Sequence, residues 1–209
     1  GPLEVHEHHL LRLDYELEIA VVTGRPLRNC SLEEADAAIF GYTIMNDWSA
    51  RHLQMEEMKL SLGPAKGKDF ATALGPWLVT KDELDLERTP EGEVLHAAMT
   101  AAVNGKVLSR GDADSMNWTF AQILQRCAYG VQLHPGEVLG SGTVGTGCLL
   151  ELNGSRITDN LWIQEGDEVV LEVAGLGRLA NRVVKTAGPD LPVSLVARGP
   201  RRMDHGGRL

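Results

Sequence analysis

Asp14-Tyr15-Glu16-Leu17-Glu18-Ile19-Ala20-Val21 alternates its side chains as a strand does. Tyr15, Leu17, Ile19 and Val21 fall on one face and can enter a core, while Glu16 and Glu18 point together to the other. Two neighbouring anions need a reason to be there. Like charges at about 4 Å repel by roughly 4 kcal/mol at an effective dielectric of about 20, so a third carboxylate beside them needs a cation. The run Met45-Asn46-Asp47-Trp48-Ser49-Ala50-Arg51 supplies the candidate third carboxylate, Asp47, and a divalent metal is the candidate cation.

Outward from this strand the chain reads as mostly β. It carries 23 Gly, and Asn104-Gly105 and Asn153-Gly154 sit between alternating runs as hairpin turns would. Ile39 to Met45 reads as a buried strand ending at Asn46-Asp47, with a helical pattern from Ser49 to Met58. Ser31-Leu32-Glu33-Glu34 opens a short helix through Ala38 with a capping box, and Asp114-Ser115 precedes a helix from Met116 to Cys127 with Phe120, Ile123, Leu124 and Cys127 as its stripe. Glu168 to Val173 and Leu179 to Val184 read as strands joined at Gly175-Leu176-Gly177. The predicted class is α+β, mainly β, in one domain over residues 1–209, with 1–12 and 200–209 as flexible termini.

At 209 residues and 43% hydrophobic, the chain can bury one sizeable core. Its charge of -9 and pI near 5.2 argue against a nucleic-acid partner, which would need clustered Lys and Arg. The basic cluster Arg198 to Arg202 reads as a solvated tail. Cys30, Cys127 and Cys148 are odd in number and far apart, which points to a reducing, cytoplasmic setting rather than a disulfide framework or a zinc site. No apolar run approaches the roughly 20 residues of a membrane span, and the start of the chain lacks a signal-peptide pattern.

If the helical reading after Asn46 holds, Asp47, Arg51 and Gln54 are spaced i, i+4, i+7 and share one face. Taken alone, Asp47 and Arg51 read equally well as a helix N-cap and a surface ion pair; the upstream Glu pair favours the site. Leu62 to Thr72 is a glycine-bearing loop whose Lys68 could neutralise an enolate or carboxylate, with Lys66 a solvated charge. Gly140-Ser141-Gly142-Thr143-Val144-Gly145 matches G-x-G-x-x-G, but Cys148 to Asn153 alternates like a strand, so a dinucleotide site is rejected. The glycines would let backbone approach a small ligand, with Thr143 offering a hydroxyl, or form a plain turn. Glu151 would sit in that strand between Leu150 and Leu152. His6, His8 and His9 read as surface or disordered, His52 as exposed, and Trp48, Trp77, Trp118 and Trp162 as core.

With Asp-Tyr-Glu-Leu-Glu before it and Leu-Gly-Pro-x-x-Gly-Lys-x-Phe after it, Met45 to Arg51 resembles the fumarylacetoacetate hydrolase family. The resemblance continues through Met116-Asn117-Trp118-Thr119, Leu133-His134-Pro135-Gly136-Glu137, Gly140 to Gly145 and Gly177 to Val183. It implies a mixed β-roll catalytic domain, a homodimer, and a Mg²⁺, Mn²⁺ or Ca²⁺ ion acting on acylpyruvate, 1,3-diketo or 2-oxo acids. By matching motif, Glu16, Glu18 and Asp47 resemble the metal ligands. Arg51, Gln54 and Lys68 resemble the groups that hold substrate and stabilise its oxyanion, and Lys68 with Thr72 falls where a second cation is sometimes bound. Thr143 resembles a substrate contact, and Glu151 the acid that orients a water-activating histidine. An all-oxygen ligand set independently favours Mg²⁺ or Ca²⁺ over zinc.

Family members carry an upstream segment that supplies that histidine; this sequence starts just ahead of the Glu16 strand. The expectation is therefore a fragment of a longer enzyme or a reduced member with altered chemistry. Met58 stands where the hydrolase proper has an aromatic substrate contact, which speaks against fumarylacetoacetate itself. The expected activity is metal-dependent hydrolysis of a C–C bond in an acylpyruvate. A decarboxylase or isomerase of the same family, or a non-catalytic binder of metal and 2-oxo acid, is the alternative.

Overall fold

A computed structural model describes residues 1–61 and 63–186. β1 (Pro2–Val5) and α1 (Glu7–Leu10) lead into β2 (Leu13–Asp14) and β3 (Leu17–Thr23). α2 (Leu32–Ala37) starts at Ser31, whose hydroxyl accepts from the Glu34 N–H while the Glu34 carboxylate accepts from the Ser31 N–H. β4 (Ile39–Asn46), β5 (Ser49–Ala50), α3 (Arg51–Glu57) and β6 (Ala73–Thr80) follow, then the hairpin of β7 (Leu86–Thr89) and β8 (Gly92–Leu95). Asn104 and Gly105, with φ of 50° and 79°, join β9 (Ala98–Val103) to β10 (Lys106–Asp112). Such left-handed pairs match the twist of the strands they connect. α4 (Phe120–Cys127), β11 (Val138–Gly140), α5 (Leu149–Gly154), β12 (Glu168–Val173) and β13 (Gly177–Lys185) complete the described chain.

One sheet runs β1-β13-β12-β9-β10 and the other β11-β3-β4-β6; β2 with β5 and β7 with β8 form two short ribbons. β1 pairs parallel with β13, and the remaining ladders are antiparallel, giving a mainly β, α+β fold of mixed β-roll type. Tyr15, Leu17, Ile19 and Val21 are buried as their alternation predicts, in one core with Met99, Ala101, Leu171 and Val173 of the first sheet. Burying each large apolar side chain contributes about 1.5–3 kcal/mol. The Tyr15 hydroxyl also bonds Ser109 Oγ on β10 at 2.8 Å, pinning one sheet to the other. Among the described residues no helix is long and apolar enough to cross a membrane.

Several expectations need correction. Pro2–Val5, expected within a flexible terminus, is an edge strand with Leu3 and Val5 buried. The helix expected from Met116 starts at Phe120, because Thr119 and Gln122 form its capping box. Cys148 to Asn153 is not a strand and Asn153-Gly154 not a hairpin turn: both belong to α5. Trp77 and Trp118 are exposed, and only Trp48 of the four tryptophans is fully buried. Cys30, Cys127 and Cys148 are all free. His52 is exposed beside Glu56 as expected, and His9 stacks on Phe70 with ring centroids 4.3 Å apart. The basic cluster Arg198 to Arg202 and residues 200–209 lie outside the described residues.

Candidate metal centre

β3 and β4 are adjacent antiparallel strands, with Leu17 opposite Asn46 and Glu18 opposite Met45. That register brings the Glu16–Glu18 end of one strand beside the Asn46-Asp47 end of the other. The Asn46 side-chain oxygen secures the junction by accepting from the Glu16 N–H at 3.0 Å. One carboxylate oxygen from each of Glu16, Glu18 and Asp47 lies within 4.8 Å of the others.

Among the described residues two cations reach this cluster. Arg51 opens α3 and is 3% exposed; its Nη2 donates to Glu16 Oε1 (2.8 Å), its Nε to Asp14 Oδ2 (2.9 Å) and its Nη1 to Gln54 Oε1 (2.8 Å). Lys68 Nζ donates to Glu16 Oε2 (2.6 Å) and Asp47 Oδ2 (2.9 Å). The Lys68 loop is held by Glu57, whose carboxylate accepts from the N–H groups of Ala65, Lys66 and Gly67. Gly67 permits that approach, since a Cβ there would lie 2.8 Å from the Gln54 nitrogen of α3. Lys66 instead pairs with Asp69 at the surface.

The fourth wall is the glycine-rich segment 140–147, which straps across β3. Ser141 N–H bonds Ile19 O, Val144 N–H bonds Leu17 O, and Leu17 N–H bonds Gly147 O, at 2.8 to 3.0 Å. Gly142 N–H donates to Glu18 Oε2 at 3.0 Å. A Cβ at Gly140 would sit 2.7 Å from that same oxygen. The glycines thus serve close approach to an acid, which would repel a pyrophosphate; rejection of the dinucleotide reading stands, although the strand expected after the motif is a helix.

Charge follows from this geometry. Burial alone would raise the Glu16 carboxyl, but Lys68 and Arg51 hold it below the ordinary range. Among the described residues no cation is in direct contact with Glu18. Burial, then the neighbouring charges of Glu16 and Asp47, push it up to about 8. Asp14, Glu16, Glu18 and Asp47 face Arg51 and Lys68, so full ionisation leaves a deficit of two positive charges. One divalent cation supplies that charge, and an all-carboxylate cradle suits a hard ion such as Mg²⁺, Mn²⁺ or Ca²⁺.

The structure therefore gathers Glu16, Glu18, Asp47, Arg51, Gln54 and Lys68. Asp47 precedes α3, so it reaches the group from the strand end and not along a shared helical face, and it is not the helix N-cap, which is Ala50. Thr72 is exposed just before Ala73, which pairs with Asn46. Thr143 is half-buried on the strap and lines a cavity of about 280 Å³ with Met99, Met116 and Trp118. Glu151 is exposed on the first turn of α5, not within a strand. Sequence reasoning missed Asp14 and Glu57. Asp14 stood in the quoted strand, and its full burial is the signal that only structure reveals.

A sequence model of the fumarylacetoacetate (FAA) hydrolase C-terminal family matches residues 2–184. The chain belongs to the fumarylacetoacetate hydrolase family. It is 33% identical over 199 residues to fumarylacetoacetase of Arabidopsis thaliana, covering 76% of this chain and 46% of that protein. To oxaloacetate tautomerase YisK of Bacillus subtilis it is 30% identical over 178 residues, covering 85% and 54%. The fold matches a crystal structure of fumarylpyruvate hydrolase from Pseudomonas aeruginosa in complex with Mn²⁺ and pyruvate, with a TM-score of 0.72, 24% identity, and 88% and 71% of the two chains covered. Members of the fumarylacetoacetate hydrolase family are thus enzymes that include hydrolases and tautomerases. The chain spans about half the length of these two curated relatives.

Proposed function

We propose that this chain carries the metal-binding site of an enzyme that hydrolyses a C–C bond in acylpyruvate-type 2-oxo acids. The observation that carries the reading is the Glu16, Glu18, Asp47 cluster with its two-charge deficit beside Lys68. Those three carboxylates would hold the ion, which supplies Lewis acidity toward a keto–enol unit. Lys68, with its side chain 20% exposed, is the cation that faces the open side and can donate to a developing oxyanion. Arg51 is committed to Asp14, Glu16 and Gln54, so it acts through Glu16 and not by touching substrate. Thr143 contacts the non-chelating end, Thr72 with Lys68 offers a second cation site, and Glu151 orients the base that activates water. The working form is a cytoplasmic homodimer, for which the exposed Leu74, Trp77 and Leu78 on edge strand β6 provide apolar surface.

Similarity to an oxaloacetate tautomerase favours a second reading, keto–enol isomerisation, which uses the same metal and Lys68 without an attacking water. Acetylpyruvate incubated with the chain and Mn²⁺ separates the two. Hydrolysis consumes the enol absorbance and yields acetate and pyruvate; isomerisation changes absorbance without either product; CO₂ release marks decarboxylation. Lys68→Met abolishes the reaction in each case. Metal-dependent binding without turnover would overturn the enzymatic reading in favour of a binding role.

A further inference from the structure

We propose that Asp14 is the positioning residue of the metal centre, tying the Glu16 side of the cradle to the strap over Glu18. This rests on the metal-site reading above and extends it to a residue that touches neither metal nor substrate.

Asp14 is fully buried, and its carboxylate is completely committed. Oδ1 accepts from Leu149 N–H at 2.7 Å; Oδ2 accepts from Leu150 N–H at 3.0 Å and from Arg51 Nε at 2.9 Å. The ribbon that pairs Asp14 with Ser49 sets it beside the start of α3 and so beside Arg51. Arg51 in turn grips Glu16 Oε1, leaving Glu16 Oε2 to Lys68. Arg51 could hold Glu16 in several orientations were its fork not fixed at Nε; Asp14 fixes it, since a planar guanidinium with one edge anchored presents its remaining donors in set directions. The other two bonds of Asp14 fasten the first turn of α5. That helix begins directly after segment 140–147, which bonds β3 on both sides of Glu18 and sends Gly142 N–H to its carboxylate. One buried carboxylate thus fixes the chain that ends on Glu16 and the chain that ends on Glu18.

The position demands an aspartate because all three partners are N–H donors. An asparagine has one acceptor oxygen, and its amide nitrogen would face either Leu149 N–H or the Arg51 and Leu150 donors. Buried donors left facing a donor are unfavourable, so Asp14→Asn should loosen one arm or the other. Loss of an outer-shell partner commonly weakens metal affinity by about 10- to 100-fold.

The test is Mn²⁺ titration of the full chain by calorimetry, for wild type, Asp14→Asn and Tyr15→Phe. Tyr15→Phe removes the buried Tyr15–Ser109 bond from the opposite face of the same segment and serves as a control for general loosening. Asp14→Asn should raise the Mn²⁺ Kd about tenfold and speed hydrogen exchange at the Leu149 and Leu150 amides, while Tyr15→Phe leaves Kd unchanged. Arg51→Lys, which keeps the charge but lacks the fork, covers the case of a misfolded Asp14→Asn and should raise Kd in the same direction. A wild-type Kd in Asp14→Asn, an equal loss in Tyr15→Phe, or an unaltered Arg51→Lys overturns the proposal while the metal site stands. Absence of Mn²⁺ binding by the folded wild type overturns both.

Discussion

Glu18 lies 4% exposed beside two other carboxylates and receives a single backbone N–H at Oε2 from the strap. Because its folded-state value is pushed up to about 8 by burial and by Glu16 and Asp47, the folded chain without metal holds a proton that the unfolded chain releases near about 4.3. The sign follows: Glu18 favours folding fully below the unfolded value, and that contribution is lost as pH rises through about 8. A metal ion must displace this proton. Binding of Mn²⁺ near neutral pH is therefore expected to release about one proton, read as a dependence of the calorimetric heat on the ionisation enthalpy of the buffer, with the release fading above the folded-state value. In Glu18→Gln the release disappears, and the metal-free protein gains stability relative to wild type in alkaline buffer. At this scale the carboxylates were legible because strand alternation alone sets Glu16 and Glu18 on one side. Asp14 and Glu57 were not, since backbone amides hold them: beside Arg51, Asp14 is bonded by two amides 135 and 136 positions along the chain, and Glu57 is bonded by amides of the Lys68 loop.

At the scale of elements, the strap 140–147 depends on what its glycines lack. A Cβ on Gly140 would come within 2.7 Å of Glu18 Oε2 and 2.9 Å of Met45 Sδ. Gly140→Ala should displace the Glu18 side chain more than the backbone at 140, which is held to β3 by the β11 ladder on one side and by the Ser141–Ile19 bond on the other. Metal affinity is expected to fall by about tenfold, as for other changes that reorient a ligand, with only a small change in thermal midpoint; titration and melting of the same variant check both. The β3 strand was readable from alternation, but the strap and α5 were not: the glycines read as admitting a small ligand or forming a turn, and in the structure they admit the Glu18 carboxylate. Leu149, Glu151 and Asn153 alternate against Leu150 and Leu152 as a strand would, and the helix wins because Asp14 takes up its first N–H groups from across the fold. The start of α4 was misplaced for a related reason: Thr119 with Gln122 is a stronger stop than Asp114-Ser115, which forms a single 3-10 turn with Ala113.

Across the whole molecule, two sheets share a core whose edges were visible in the apolar periods, and the site stands where β3 and β4 leave the second sheet. Sheet order was beyond periodicity, because β1 joins β13 from the far end of the described chain. If the cradle binds metal only when folded, the fold should gain about 2.7 kcal/mol at a hundredfold excess over Kd, seen as a rise in thermal midpoint with Mn²⁺. The most direct measurement is calorimetric titration of Mg²⁺ and Mn²⁺, with oxalate present as a 2-oxo acid mimic, into wild type and Asp47→Asn side by side. The account predicts a saturable, single-site isotherm for wild type that Asp47→Asn weakens severely. A folded wild-type chain that binds neither ion, or an Asp47→Asn variant that binds as tightly as wild type, would contradict it.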